Sequence, residues 1–163
     1  MSGRPAERAE PDATTEEAST AIDVEGSLPT GIRHPEPDGV LAERLFTLQD
    51  LHAVRALVTG HAARFGLPEE RASSFVLAVH EVAANSVQHG GGHGILRLWQ
   101  DGDLLICEVR DRGVIDPVRF EAAPPPPDQT AGRGLWLARQ LCDLVELRAG
   151  PTGSVVRLQI SSG

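Results

Sequence analysis

Three groups of residues in this sequence combine carboxylate, amide, glycine and arginine at spacings that could do chemistry. In the first, Glu81 and Asn85 are four residues apart. On a helix they would lie one turn apart on the same side, so the carboxylate and the amide oxygen could hold a water molecule and a hard cation such as Mg²⁺. Taken alone, such a pair is more often part of a solvated helix face.

The second group is Asp111 followed by Gly113. Asp111 ends a predicted strand in which Leu105, Cys107 and Val109 share its parity, so its side chain is directed toward the core and needs hydrogen-bond donors. The exocyclic amine of adenine would be such a donor, and Gly113 lets a flat ring approach the backbone. The alternative is a turn aspartate that caps local amides.

The third group is the run Gly132, Arg133, Gly134 and Leu135, which opens a predicted helix after the prolines at 124–127. Free N–H groups at a helix start bind anions, and glycines let a phosphate come close. Since the chain contains no lysine, Arg133 is the natural phosphate donor. Taken alone, such a run is more often a flexible loop that enters a helix.

The composition excludes several classes of protein. All 15 basic residues are arginine, which excludes a Walker A loop, a Schiff-base enzyme and a kinase of the usual protein-kinase fold. The net charge of −8 argues against non-specific binding to nucleic acid or to an anionic membrane. We expect neither a signal peptide nor a membrane span. Cys107 and Cys142 lie in apolar patterns and are expected to be buried free thiols in a reducing cytoplasm.

The chain divides into two parts by composition. Residues 1–38 hold nine acidic residues against three arginines and five of the twelve prolines. With few large apolar residues this segment is predicted to be a disordered acidic tail. Residues 39–163 are predicted to form one domain.

The predicted elements of that domain alternate between strands and helices. They are a strand at 40–48, helices at 51–65 and 68–89, strands at 95–100 and 104–110, an irregular segment at 112–131, a helix at 134–143, and strands at 144–148 and 154–160. This order predicts an α/β protein of the α+β two-layer sandwich type, with a mostly antiparallel mixed sheet and helices on one face. The long irregular segment would be a lid.

The three groups of candidate residues follow one another along the chain as Glu81 with Asn85, then Asp111 with Gly113, then the run 132–135. In this sequence order they resemble the motifs of the GHKL ATP-binding superfamily, which has the Bergerat fold. The N-box corresponds to residues 81–90, the G1 box to 111–113 and the G2 box to 132–135. Residues 153–156, Gly-Ser-Val-Val, are similar to the G-T-x-V of the family's last strand. Within the superfamily the chain resembles the small anti-sigma-factor serine kinases of actinomycete partner-switching systems.

The resemblance implies ATP and Mg²⁺ as cofactors and a role for each matching residue. Glu81 would be the general base, and Asn85 would ligate Mg²⁺. The residues implied to bind the nucleotide are His89, Asp111, Gly113, Gly132, Arg133, Gly134, Leu135 and Ser154. The implied partners are a sigma factor and an anti-anti-sigma (STAS) protein, and the resemblance suggests a homodimer in the cytoplasm.

Two departures from the family pattern bear on turnover. Ile115 stands where the G1 box usually has a second glycine, and the lid carries prolines at 124–127. They leave open a nucleotide-binding interaction module with weak catalysis. A detached histidine-kinase catalytic domain is a further alternative, and it would need a separate partner that carries the phospho-acceptor histidine.

Overall fold

The computed structural model describes residues 22–24, 39–115 and 133–163. Within these residues the chain forms six strands, three α-helices and one 3-10 turn. They are β1 (Ile22–Val24), β2 (Val40–Thr47), the 3-10 turn Leu48–Asp50, α1 (Leu51–Phe65), α2 (Glu69–His89), β3 (His93–Asp101), β4 (Leu104–Asp111), α3 (Arg133–Leu141), β5 (Leu144–Gly150) and β6 (Gly153–Ser161).

The described strands form one sheet in the order β1-β5-β6-β4-β3-β2. β1 pairs with β5 in parallel, and every other neighbouring pair is antiparallel. The register aligns Leu98, Cys107, Leu158 and Val145 in one row across four strands, and all four belong to the core that the helices cover. The predicted two-layer architecture with helices on one face is therefore confirmed.

Local sequence signals explain where the helices end. Gly66 adopts a left-handed φ of 88° after α1 and donates its N–H to Ala62 and Ala63. α2 ends at His89, and Gly91 and Gly92 that follow it have φ values of 90° and 84°, a conformation that glycine adopts without steric cost. These breaks separate α1 from α2 and turn the chain from α2 into β3.

One element was not predicted. Ile22–Val24 forms β1 inside the segment that composition marks as a disordered tail. The unpaired edge of β5 offers backbone donors and acceptors, and this tertiary contact outweighs the composition for these three residues. The rest of residues 1–38 lies outside the described residues, as does the predicted lid from residue 116 to its end at residue 131.

Asp143, just after the end of α3, forms hydrogen bonds to residues of α2 and β6. Its carboxylate accepts hydrogen bonds from the Arg71 guanidinium at 2.8 and 2.7 Å and from the Ser161 N–H at 2.7 Å. α3 therefore ends at Leu141, two residues before the predicted end, because the chain turns to bring Asp143 to these donors. Cys107 and Cys142 are buried free thiols, as predicted.

In the part of the chain that the structure describes, no helix is long and apolar enough to cross a membrane.

Candidate functional site

Asp111, at the end of β4, lies against the end of α2. The Gly113 N–H donates a hydrogen bond to Asp111 Oδ1 at 2.8 Å, and the Ser86 hydroxyl bonds to the same carboxyl group. Burial raises the pKa of Asp111, while the bonds from Ser86 and Gly113 and the charge of His93 oppose that rise. The structure thus gives Asp111 the partly buried position that its strand parity predicts.

Glycines let three chain segments meet around this carboxylate. A Cβ on Gly90 would overlap the Asp111 carboxyl carbon, and one on Gly113 would lie 2.6 Å from the His89 carbonyl oxygen. A Cβ on Gly153 would overlap the Asp111 carbonyl oxygen. The end of α2, the residues after β4 and the start of β6 are therefore packed backbone to backbone.

Ser154 holds the segment that follows Asp111. Its hydroxyl donates to the Gly113 carbonyl at 2.7 Å and accepts from the Ile115 N–H at 3.1 Å. Ile115 is partly buried and packs against the core. Ile115 thus anchors this segment, and Ser154 keeps the loop beside Asp111 in place.

Glu81 faces the beginning of α3. A Cβ on Gly134 would lie 3.1 Å from Glu81 Oε2 and 3.4 Å from Glu81 Cβ, so glycine allows α3 to start directly against this side chain. Leu135 is buried with 6% exposure and fixes the first turn of α3 to the core, while the Arg133 side chain is exposed. The free N–H groups of the first turn carry partial positive charge, so a carboxylate and a helix N-terminus adjoin here.

Three predicted site residues remain: Asn85, His89 and Gly132. Asn85 lies one turn beyond Glu81 on α2 and is half-buried. The His89 side chain is exposed, and its carbonyl oxygen packs against Gly113. Gly132 lies outside the described residues.

Two residues of this site were not singled out from the sequence. Ser86 is only 2% exposed, and Gly90 is buried against Asp111. A signal for Ser86 is present, because it follows Phe75, Val79 and Val82 at spacings of four, three and four on the core face of α2. A hydroxyl on that face needs a buried partner, which Asp111 provides.

The comparisons with known proteins agree with this geometry. The family model of the histidine kinase-like ATPase domain matches residues 46–160. The chain belongs to this family. Membership implies a site that binds ATP, and the matched region includes every described residue of the candidate site.

Solved structures of similar fold include the RsbU and RsbW domains of Rv1364c from Mycobacterium tuberculosis. The chain is 21% identical to that structure, with a TM-score of 0.55 and coverage of 74% of this chain and 32% of the other. It therefore spans about a third of that protein's length. The histidine kinase AdeS of Acinetobacter baumannii matches with 12% identity, a TM-score of 0.42 and coverage of 76% and 68%. No curated protein matches.

Proposed function

We propose that this histidine kinase-like ATPase domain is a cytoplasmic anti-sigma regulator. It binds ATP with Mg²⁺, sequesters a sigma factor, and transfers the γ-phosphoryl group to a serine or threonine of a STAS partner. The RsbW domain named in the Rv1364c structure supports the partner-switching part of this proposal through its similar fold. A homodimer is part of the same proposal.

The contact between Glu81 and Gly134 is the observation that carries the proposal. It brings a carboxylate to the N-terminus of α3, where backbone N–H groups and Arg133 would hold phosphate oxygens. Glu81 would accept the proton of the attacking hydroxyl. Asn85, one turn further along α2, would offer an amide oxygen to Mg²⁺.

At the other end of the site, Asp111 would receive the adenine amine. Its Oδ1 already accepts from Gly113, and the glycines around it leave no side chain between the backbone segments. Magnesium would neutralise phosphate charge during transfer. Beside Asn85, phosphate oxygens and water would complete the ligands of the cation, since Mg²⁺ in nucleotide sites usually keeps several waters.

The decisive experiment is transfer of label from [γ-³²P]ATP to purified STAS-domain proteins, with and without Mg²⁺. We expect Glu81→Ala to lower the transfer rate by about 10²–10⁴-fold while calorimetry shows ATP affinity within about threefold of wild type. Asp111→Asn should instead weaken ATP binding itself. Glu70→Ala, an exposed glutamate in the first turn of α2, is the matched control and should change neither.

If Glu81→Ala loses ATP affinity as severely as Asp111→Asn, the role of Glu81 as base is wrong. If the wild type binds no ATP, the whole proposal fails.

A second candidate is a nucleotide-binding interaction module with little catalysis. The packing of Ile115 on the core favours it, because an anchored segment after Asp111 moves less than a second glycine would allow. ATP binding without label transfer to any STAS protein would select this candidate.

A further inference from the structure

Exposed apolar side chains gather along the β2 edge of the sheet. Leu45 and Leu48 are each 63% exposed, and Ile95, the cross-strand neighbour of Leu45, is 40% exposed. Of the six large apolar residues that are 40% or more exposed in the described chain, five lie on this edge: Val40, Leu41, Leu45, Leu48 and Ile95. Clustered apolar exposure, unlike single exposed residues, marks an interaction surface.

The backbone of β2 is open on the same side. β2 is the last strand at this end of the described sheet. The Thr47 N–H donates to Asp50 Oδ2 at 3.0 Å and therefore points away from β3. Backbone direction alternates along an antiparallel strand, so the N–H and C=O groups of Leu45 and Glu43 point to the open edge as well. Such a row of backbone groups is a template for another strand.

The two charged residues of β2 are neutralised within the chain. Arg97 Nε lies 2.6 Å from Glu43 Oε2, and the Arg44 guanidinium lies 3.4 Å from Asp50 Oδ1. A strand that pairs with this edge therefore needs no charge of its own to match it. A neutral apolar edge is complemented by another neutral apolar edge, and a second copy of this chain carries one.

Charge also selects the register of such a pair. A two-fold axis perpendicular to the sheet makes β2 antiparallel to β2 of the second copy, and the residue on the axis then faces its own copy. An axis at Glu43 or at Arg44 would place like charges directly opposite each other, which destabilises a strand pair. With the axis at Leu45, Leu45 faces Leu45 and Glu43 faces Thr47.

The ends of β2 exclude the other registers. The register shift between Val40 and Ala42 marks a bulge, which interrupts pairing at the start of the strand, so an axis at Ala42 finds no continuous strand. Because β2 ends at Thr47, an axis at Phe46 or Thr47 would leave three paired residues or fewer. Only the axis at Leu45 pairs the whole stretch 43–47.

This register also brings the exposed apolar residues together. Ile95 lies beside Leu45 on the helix-free face, so the joined sheets would carry an unbroken apolar row of Ile95, Leu45 and the same two residues of the second copy. Leu48, just beyond the paired stretch, would lie against the start of β2 in the second copy.

We propose that β2 pairs with β2 of a second copy around Leu45 and joins the two sheets into one. The inference rests on the homodimer of the proposed function and names its interface. The candidate site lies on α2, on α3 and at the ends of β4 and β6, so this pairing involves none of its residues.

Light scattering of the full chain after size-exclusion chromatography tests the interface. We expect the wild type to be a dimer at about 100 µM. Leu45→Asp removes two apolar side chains from the centre of the interface and should raise the dissociation constant at least about tenfold. Val114→Asp, at a position that is 71% exposed and outside β2, is the matched control and should leave the constant unchanged.

Disulfide cross-linking tests the register. Directly opposite residues of antiparallel strands have Cα atoms about 4.5–5.5 Å apart, within the range of about 4.4–6.8 Å that a disulfide spans. Leu45→Cys should therefore form a covalent dimer when it is oxidised with diamide. The wild type should not, because Cys107 and Cys142 are buried, and neither should Thr59→Cys on the exposed side of α1.

The outcomes separate this inference from the proposed function. A monomeric wild type at about 100 µM would overturn the interface together with the homodimer, whereas ATP binding and label transfer are measured independently of it. A wild-type dimer that Leu45→Asp leaves intact, or that Leu45→Cys does not cross-link, would overturn the interface while the homodimer stands.

Discussion

At the scale of single residues, the candidate site depends on positions without a side chain. Gly90, Gly113 and Gly153 each contact Asp111 or its neighbours at distances where a Cβ would collide. Because these glycines carry no side chain, the backbone segments come close together, and the Asp111 carboxylate lies within reach of Ser86 and of the Gly113 N–H. The Gly113 N–H bond of 2.8 Å to Oδ1 holds the carboxylate in this position, and the proposed function assigns it the adenine amine as a further donor.

Gly113→Ala should therefore damage both folding and binding. The new Cβ would lie 2.6 Å from the His89 carbonyl oxygen and 2.8 Å from Gly90 Cα, and backbone atoms cannot move aside as a flexible side chain can. We expect a loss of about 1–3 kcal/mol in the free energy of unfolding, together with weaker ATP binding, measured by thermal unfolding and calorimetry.

Gly60→Ala in α1 is the matched control. A Cβ there meets nothing within 4 Å, and alanine is favoured over glycine in a helix by about 1 kcal/mol. This variant should be slightly more stable than wild type with unchanged ATP affinity. Destabilisation of both variants to the same extent would contradict the close-packing argument.

At the scale of elements, the geometry of the candidate site depends on how closely the N-terminus of α3 approaches α2. α2 carries Glu81 and Asn85, and α3 brings its N-terminus to Glu81 through the close approach at Gly134. Neither helix forms the arrangement alone. The distance between them sets where a phosphate would lie relative to the carboxylate.

Gly134→Ala tests this relation. The new Cβ would lie 3.1 Å from Glu81 Oε2, so the carboxylate must shift, whereas the helix itself tolerates alanine well. We expect phosphoryl transfer to fall by about tenfold or more, since small displacements of reacting groups are costly. The melting temperature should stay close to that of wild type.

Gln140→Ala, an exposed residue of the same helix, controls for a change in helix propensity and should leave transfer unchanged. Full transfer activity in Gly134→Ala would show that the approach of α3 to Glu81 is not needed.

At the scale of the whole molecule, Asp143 joins α2, the end of α3 and the end of β6. Burial raises the pKa of Asp143, but the bonds from Arg71 and Ser161 outweigh it and hold the pKa below the ordinary value of 3.8. A carboxylate with a lowered pKa stabilises the fold fully above its unfolded pKa and loses that contribution as the pH falls through the folded value.

Asp143→Asn should accordingly lower the free energy of unfolding at neutral pH. We expect about 1 kcal/mol, because the 41% exposed side chain is screened by solvent. The difference from wild type should shrink as the pH falls through and below 3.8, as followed by urea unfolding. Asp103→Asn in the exposed turn between β3 and β4 should leave the free energy of unfolding at neutral pH close to that of wild type. A difference for Asp143→Asn that stays constant with pH would contradict the ion-pair explanation.

Most of the elements could be predicted from the sequence, because their signals are local. The breaks at Gly66 and at Gly90–Gly92 end α1 and α2 where glycine punctuation predicts. The two hairpins form around their glycine turns. β1 could not be predicted, since three residues without a periodic pattern become a strand only beside the free edge of β5.

The sequence by itself determined the residue types at the site and the elements that carry them. Strand parity determined that Asp111 turns toward the core, and helix periodicity determined that Glu81 and Asn85 share one side of α2. Only the tertiary structure decided that Ser86 bonds to Asp111, that Gly134 meets Glu81, and that β1 and β2 lie at opposite edges of one sheet. The physical reason is that side-chain direction follows from the local backbone, whereas these contacts join residues far apart in the chain and depend on how the layers pack.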